Sequence, residues 1–168
     1  MISVGRKMTN VARRTEPTTV IDGFEPALQR FWAVWSAARA AAGGKVPARR
    51  AITVSALRAL TANCFVLERK PDGLFYFKMI GTGVEHMYQR QMTDRPISDA
   101  VTPEALERAD RFFGKVLDLS CGGYSCDIMT TKTGRKIRSS ALTLPVTNDD
   151  GARVKTMTCC EIRGVGFD

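Results

Sequence analysis

The stretch from Leu74 to Ser98, LFYFKMIGTGVEHMYQRQMTDRPIS, constrains the fold of this chain more than any other. An apolar run, Leu74 to Ile80, enters Gly81-Thr82-Gly83. A short amphipathic helix follows over Gly83 to Gln89, and Thr93-Asp94-Arg95 then leads into Pro96 and a second helical region. Upstream, Pro71-Asp72-Gly73 separates the apolar run from Cys64 to Glu68. Two β-rich runs around a Pro-Asp-Gly turn predict a hairpin. The second run is apolar at almost every position, which predicts burial on both of its faces. Strand alternation would place Phe75, Phe77 and Met79 on one face, and Leu74, Tyr76 and Ile80 with Lys78 on the other.

The rest of the chain extends this hairpin into a sheet. Thr102 reads as an N-cap before Pro103-Glu104, opening a helix whose apolar stripe is Leu106, Ala109, Phe113, Val116 and Leu117 and which ends before Cys121-Gly122-Gly123. Tyr124–Thr131 and Lys136–Val146 flank the turn Lys132-Thr133-Gly134-Arg135. Val154–Ile162 follows Asn148-Asp149-Asp150-Gly151, another strong turn. Ahead of the sheet, Thr53 to Leu60 reads as a short helix behind a linker at Pro47-Ala48-Arg49-Arg50. Before that, Leu28, Phe31, Trp32, Trp35, Ala38 and Ala42 fall on one stripe of a helix that begins after Asp22-Gly23 and stops at Gly43-Gly44. The large apolar side chains Leu28, Phe31, Trp32 and Trp35 must be covered. Two solutions are open: a dimer interface, or the outer face of the chain's own sheet. Residues 1–22 show no apolar period and read as a flexible tail. The expected architecture is α+β, one five-stranded antiparallel sheet with helices on one face and an added N-terminal amphipathic helix.

Composition narrows the class. At 168 residues the chain has room for one domain with an extension. Its net charge of +8 is uneven: residues 1–70 hold 12 Lys and Arg against 4 Asp and Glu, and the remainder holds 13 of each. A basic N-terminal part suits nucleic acid or an acidic partner, though a solvated helix face explains it as well. The apolar runs are too short for a membrane span and no leader-like apolar segment follows the first basic residues, so the expected location is the cytoplasm. Five cysteines, Cys64, Cys121, Cys126, Cys159 and Cys160, form no CxxC pair and predict neither a disulfide framework nor a metal site.

Several segments resemble one subfamily of the bacterial PAS domains. Phe77-Lys78-Met79-Ile80-Gly81-Thr82 and Thr93-Asp94-Arg95 are similar to its central motif. Trp35 with Gly43-Gly44-Lys45-Val46-Pro47-Ala48-Arg49 is similar to its tryptophan, glycine-basic segment and "P.R". Leu144-Pro145-Val146 with Asp150-Gly151 is similar to its late strand and turn. Two positions depart from the pattern: Asp94 stands where the subfamily has glycine, and Ile52-Thr53-Val54-Ser55 where it has "D.DP". The resemblance implies a PAS domain over residues 49–168, preceded by the helix and linker of residues 23–48. It also implies a regulatory role through a signalling protein partner.

No catalytic constellation is visible. His86 is the single histidine, and Gly81-Thr82-Gly83 lacks the flanking residues of a phosphate loop. The chain therefore reads as a sensory or regulatory module and not as an enzyme. Its expected ligand is a small apolar molecule in a pocket lined by Phe65, Phe75, Phe77, Met79, Met87, Tyr88, Ala109, Phe112, Phe113, Ile128, Ile137 and Met157. The same residues would also make an ordinary core, and no residue points to a particular cofactor. Thr93, Asp94 and Arg95 are the expected partner-contact loop. The alternative is a nucleic-acid-associated regulator acting through the basic N-terminal part.

Overall fold

A computed structural model describes residues 4–7, 23–130 and 136–164. The expected turn at Lys132-Thr133-Gly134-Arg135 and residues 1–3 and 8–22 of the expected tail lie outside the described residues. In chain order the elements are β1 (Val4–Lys7), α1 (Pro26–Ala41), α2 (Val54–Leu57), β2 (Cys64–Arg69), β3 (Phe75–Ile80), α3 (Thr82–Tyr88), α4 (Pro103–Leu119), β4 (Gly123–Thr130), β5 (Lys136–Val146) and β6 (Lys155–Gly164). Short 3-10 turns occupy Arg49–Ala51, Arg58–Asn63 and Ile97–Asp99.

The five expected strands are present and antiparallel, and a sixth joins them: Val4–Lys7, part of the segment read as a tail, pairs with β4 at the sheet edge. The order across the sheet is β1-β4-β5-β6-β2-β3. The turns form as their residues require. Gly73 and Gly151 both take positive φ, and the carboxylate of Asp72 accepts the Leu74 N–H at 2.9 Å. Thr53 and Thr102 cap α2 and α4 by accepting the N–H groups of Ala56 and Ala105.

The sheet is covered on both faces. On one face α1 lays down Leu28, Phe31 and Trp35 against Leu142, Leu144, Val146, Met157 and Cys159. Trp35 is 3% exposed, and its indole N–H donates to the Pro145 carbonyl at 2.9 Å. Of the two expected solutions for the α1 stripe, the structure shows packing on the chain's own sheet. The Pro47-Ala48-Arg49 segment is stitched down by Thr147, whose N–H reaches the Pro47 carbonyl and whose carbonyl accepts from Arg49. The opposite face carries α3 and α4, with Phe65, Phe75, Phe77 and Phe113 in edge or tilted contact.

Strand β3 corrects the expectation of two buried faces. It is an edge strand; Phe75 and Phe77 are buried, while Lys78 is exposed and Leu74 just before it is 40% exposed. A bulge also changes its phase: Leu67 pairs with Phe77 but Val66 pairs with Met79, leaving Lys78 unmatched. Met79 is thereby turned to the α1 side, away from Phe75 and Phe77, and Ile80 returns to their side.

Trp35 is the anchor of α1, so its loss should be felt through the whole fold. Trp35→Ala should cost about 3–5 kcal/mol in equilibrium urea unfolding. Trp35→Phe, which keeps most of the apolar area but leaves the Pro145 carbonyl unpaired, should cost about 1–3 kcal/mol.

Candidate functional site

A cavity of about 110 Å³ lies between the sheet and the layer formed by α3, α4 and the Ile97–Asp99 turn. Its roof is apolar: Val84, Met87 and Tyr88 from α3, Ala109, Phe112 and Phe113 from α4, with Ile97 and Val101 between them. Its floor is the inner face of the sheet, with Phe65 and Phe77 at one side and Ser125, Asp127, Ser139, Ala141, Thr143, Thr158 and Cys160 across the rest. Ala109, one of two alanines in the buried stripe of α4 with Ala105, makes room at the cavity.

Seven of the residues expected to line a pocket, Phe65, Phe77, Met87, Tyr88, Ala109, Phe112 and Phe113, meet at this cavity. Phe75 belongs to the same cluster but stands outside the wall, its ring 5.7 Å from that of Phe113. Ile137 is buried near the start of β5, also outside the wall. Met79 and Met157 pack on the α1 side, Met79 because of the bulge and Met157 because it alternates with Thr158. Ile128 is 49% exposed and alternates with Asp127. The polar floor is what sequence reasoning missed. Its signal was present in β5, where Ser139 to Val146 carries no charge and both alternating sets are buried.

The electrostatics of the cavity follow from burial. Desolvation pushes the Tyr88 hydroxyl upward and the Cys160 thiol up to about 12. The Thr143 and Thr158 hydroxyls bond each other at 2.8 Å. On the other face Cys64 sits directly across from Cys159, and their side-chain hydrogen bond, together with burial, raises Cys64 well above the usual thiol range. All five cysteines are free, with Cys64, Cys159 and Cys160 buried and Cys121 and Cys126 partly accessible. Among the described residues no group of three or more His, Cys, Asp or Glu is placed to hold a metal ion.

His86 does not face the cavity; it is exposed, at a surface depression with Glu85, Gln89 and Arg90. The cavity volume is comparable to that of an engineered cavity of about 150 Å³ that accommodates a benzene-sized guest.

The Gly81-Thr82-Gly83 turn is a packing device. A Cβ on Gly81 would collide with the carbonyl oxygens of Thr61 and Ala62, and one on Gly83 with the Asn63 side chain. The backbone there is ordinary (Gly81 φ is −73°), so close approach is what demands glycine.

Thr93-Asp94-Arg95 closes the free edge of β3. The Asp94 N–H donates to the Phe77 carbonyl at 2.7 Å, and the Phe77 N–H donates to the Arg95 carbonyl at 3.0 Å. Asp94 has φ of +60°. Glycine adopts that left-handed geometry without strain, and Asp is among the side chains that tolerate it. Its carboxylate also meets the Lys78 ammonium at 2.8 Å, which holds the Asp94 carboxyl below its ordinary range. Arg95 lies 3.3 Å from Asp99. All three residues are exposed, and Asp94 and Arg95 are engaged through the backbone.

Comparison with known proteins gives a family. A family model described as a PAS domain matches residues 24–161. No curated protein matches. Similar solved structures include the light-state dimer of the fungal blue-light photoreceptor Vivid, at 11% identity and TM-score 0.46 over 60% of this chain and 77% of that one. The PAS domain of a protein from Colwellia psychrerythraea is similar at 13% identity and TM-score 0.44, over 67% of this chain and 98% of that one. A light-oxygen-voltage domain studied with a flavin analogue is similar at 16% identity and TM-score 0.47, over 67% and 84%.

Two measurements check this geometry. Asp94→Gly should leave unfolding free energy within about 0.5 kcal/mol of the parent, whereas Asp94→Ala, which keeps a Cβ at positive φ, should lose about 1 kcal/mol. In native protein at pH 8, an aromatic disulfide reagent should titrate Cys121 and Cys126 quickly, with Cys64, Cys159 and Cys160 reacting only on unfolding.

Proposed function

We propose a function from one premise: the chain belongs to the PAS domain family, whose model spans residues 24–161. A domain of this family is a signal-sensing module, and such domains are in general not catalytic. The reading we favour is that a small molecule occupies the space between the sheet and helices α3 and α4, and that its presence is passed on by protein–protein contact in the cytoplasm.

The observation that supports it is the cavity itself. About 110 Å³ between the sheet and the helices is left unfilled, and a concave space with an apolar lining and a few polar groups is the usual form of a small-molecule site. The route outward is short. Ile97 lines the cavity and lies two residues beyond Arg95, so displacement of the roof would move the exposed Thr93-Asp94-Arg95 loop, where the partner protein docks. Homodimerisation belongs to the same reading. Leu28, Phe31 and Trp35 are held by the chain's own sheet, so a dimer through α1 uses its outer side, where Arg30, Ala33, Ala37 and Ala40 are exposed. No helix among the described residues is long and apolar enough to cross a membrane.

Ala109→Phe is the direct test, since it places a ring in the cavity from the rigid helix α4. A ligand-binding space should accept the ring with a stability loss below about 1 kcal/mol and lose every ligand-induced rise in melting temperature. A loss of about 3 kcal/mol or more, with no ligand-induced rise in the parent, would show a solid core and reject the ligand reading.

A further inference from the structure

We infer that Cys64 and Cys159 are a thiol redox pair, in which a hydroperoxide oxidises Cys64 and Cys159 then closes it into a disulfide joining β2 to β6. This modification site lies on the α1 face of the sheet and does not depend on what fills the cavity.

The backbone sets the geometry. Cys64 stands directly across from Cys159. Opposed pairs in an antiparallel ladder alternate between hydrogen-bonded and non-hydrogen-bonded. The Cys64 carbonyl accepts the Gly81 N–H at 2.7 Å, on the β3 side, and its own N–H donates to the Thr61 carbonyl. Neither group is spent on Cys159, so the two cysteines form a non-hydrogen-bonded pair. That is the closer kind, with Cα atoms about 4.5 Å apart, inside the range a disulfide spans. The side chains already meet, since the two thiols share a hydrogen bond. Cys160, next in the chain, belongs to the opposite face and cannot take the place of Cys159.

The two sulfurs have different roles. Beside Cys64 lies the partly buried Arg49, whose guanidinium donates to the Ile52 carbonyl at 2.7 Å and the Met79 sulfur at 3.0 Å. Among the described residues no carboxylate pairs with it, and the titratable group its charge acts on is Cys64. A neighbouring cation favours the thiolate, which is the nucleophile, so Cys64 attacks and Cys159 resolves. In the closed fold both thiols are wholly buried, so reaction runs through local opening. Cys64 is the first residue of β2, behind the short turns Arg49–Ala51 and Arg58–Asn63, where the cover opens without parting the strands. Such an opening admits hydrogen peroxide and excludes an aromatic disulfide reagent.

The steps balance. The Cys64 thiolate attacks a peroxide oxygen: the S–O bond forms, the O–O bond breaks, and the departing hydroxide takes up the thiol's proton as water. The Cys159 sulfur then attacks the sulfenic sulfur: the S–S bond forms, the S–O bond breaks, and a second water leaves with the Cys159 proton. Each thiol gives up one electron, and the peroxide is reduced to two waters.

The test treats the folded full chain with hydrogen peroxide, blocks remaining thiols by alkylation and maps tryptic peptides. Cys64 falls on residues 59–69, Cys159 and Cys160 on 156–163, and Cys121 and Cys126 on 116–132, so the linkage reads directly. Peptides 59–69 and 156–163 should become joined, and dithiothreitol should part them. The joint should persist in Cys160→Ala and vanish in Cys159→Ala. Arg49→Gln should slow it about fivefold or more relative to oxidation of Cys121 and Cys126, and Arg49→Lys should restore the rate. Peroxide that oxidises Cys121 and Cys126 but leaves Cys64 and Cys159 as thiols overturns the pair. So does a joint that forms only in denaturant, or one that Cys160→Ala removes. An unchanged rate in Arg49→Gln overturns the assignment of Cys64 as the attacking sulfur.

Discussion

The structure depends on one sheet being covered on both faces by its own chain. β5 and β6 show this most directly: Leu142, Leu144, Met157 and Cys159 point toward α1, and Ala141, Thr143, Thr158 and Cys160 point toward α4. A strand in that position has no solvent side, so its polar residues are buried and must be satisfied locally. The indole of Trp35, bonded to the Pro145 carbonyl, fastens one cover; the aromatic cluster of Phe65, Phe77 and Phe113 fastens the other. Removing α1 would expose the whole set of Leu and Met residues beneath it, which makes α1 part of the fold, whatever further contact its outer side makes.

The two edges of the sheet are closed differently. At one, Val4–Lys7 pairs with β4. At the other, β3 bulges at Lys78 and accepts the Thr93-Asp94-Arg95 loop along its free side. These features are linked. The bulge turns Lys78 outward, where its ammonium reaches the Asp94 carboxylate, and the same loop leads within two residues to Ile97 in the cavity wall. An unpaired strand edge is a liability for any sheet; here its cover is also the segment that connects the interior to an exposed surface.

The sequence made much of this legible, and the failures have separate physical causes. The strand Lys136–Val146, the Thr102 cap, the α4 stripe and the α1 stripe are all where composition and periodicity place them. The fold class followed from their order. Seven cavity residues were found because aromatic, Met and Ala positions on α3, α4 and the hairpin face inward. Ile128 and Met157 were misplaced by the assumption that apolar strand residues face the cavity and polar ones face water. That assumption holds for a sheet with a single covered face. With α1 on the back, the apolar set of β6 goes to α1 and the polar set lines the cavity. Met79 required knowledge of a bulge, which no pattern of hydrophobicity announces. The strand Val4–Lys7 is four residues without alternation, too short to stand out from its surroundings.

Stability alone gives no reason for the polar floor. A bonded Thr143–Thr158 pair contributes little net free energy, since replacing both partners of a buried hydrogen bond by apolar groups of similar shape is close to neutral. Valines at both positions would fill the same volume and lose nothing that the fold needs. The same holds for Ser125, across from a roof that is apolar except for the Tyr88 hydroxyl. A cavity with an apolar roof and a hydroxyl-and-carboxylate floor is therefore more polar than packing requires. The polar groups of the floor lie on β4, β5 and β6, the most extensively paired strands, and the roof lies on α3, α4 and the Ile97–Asp99 turn.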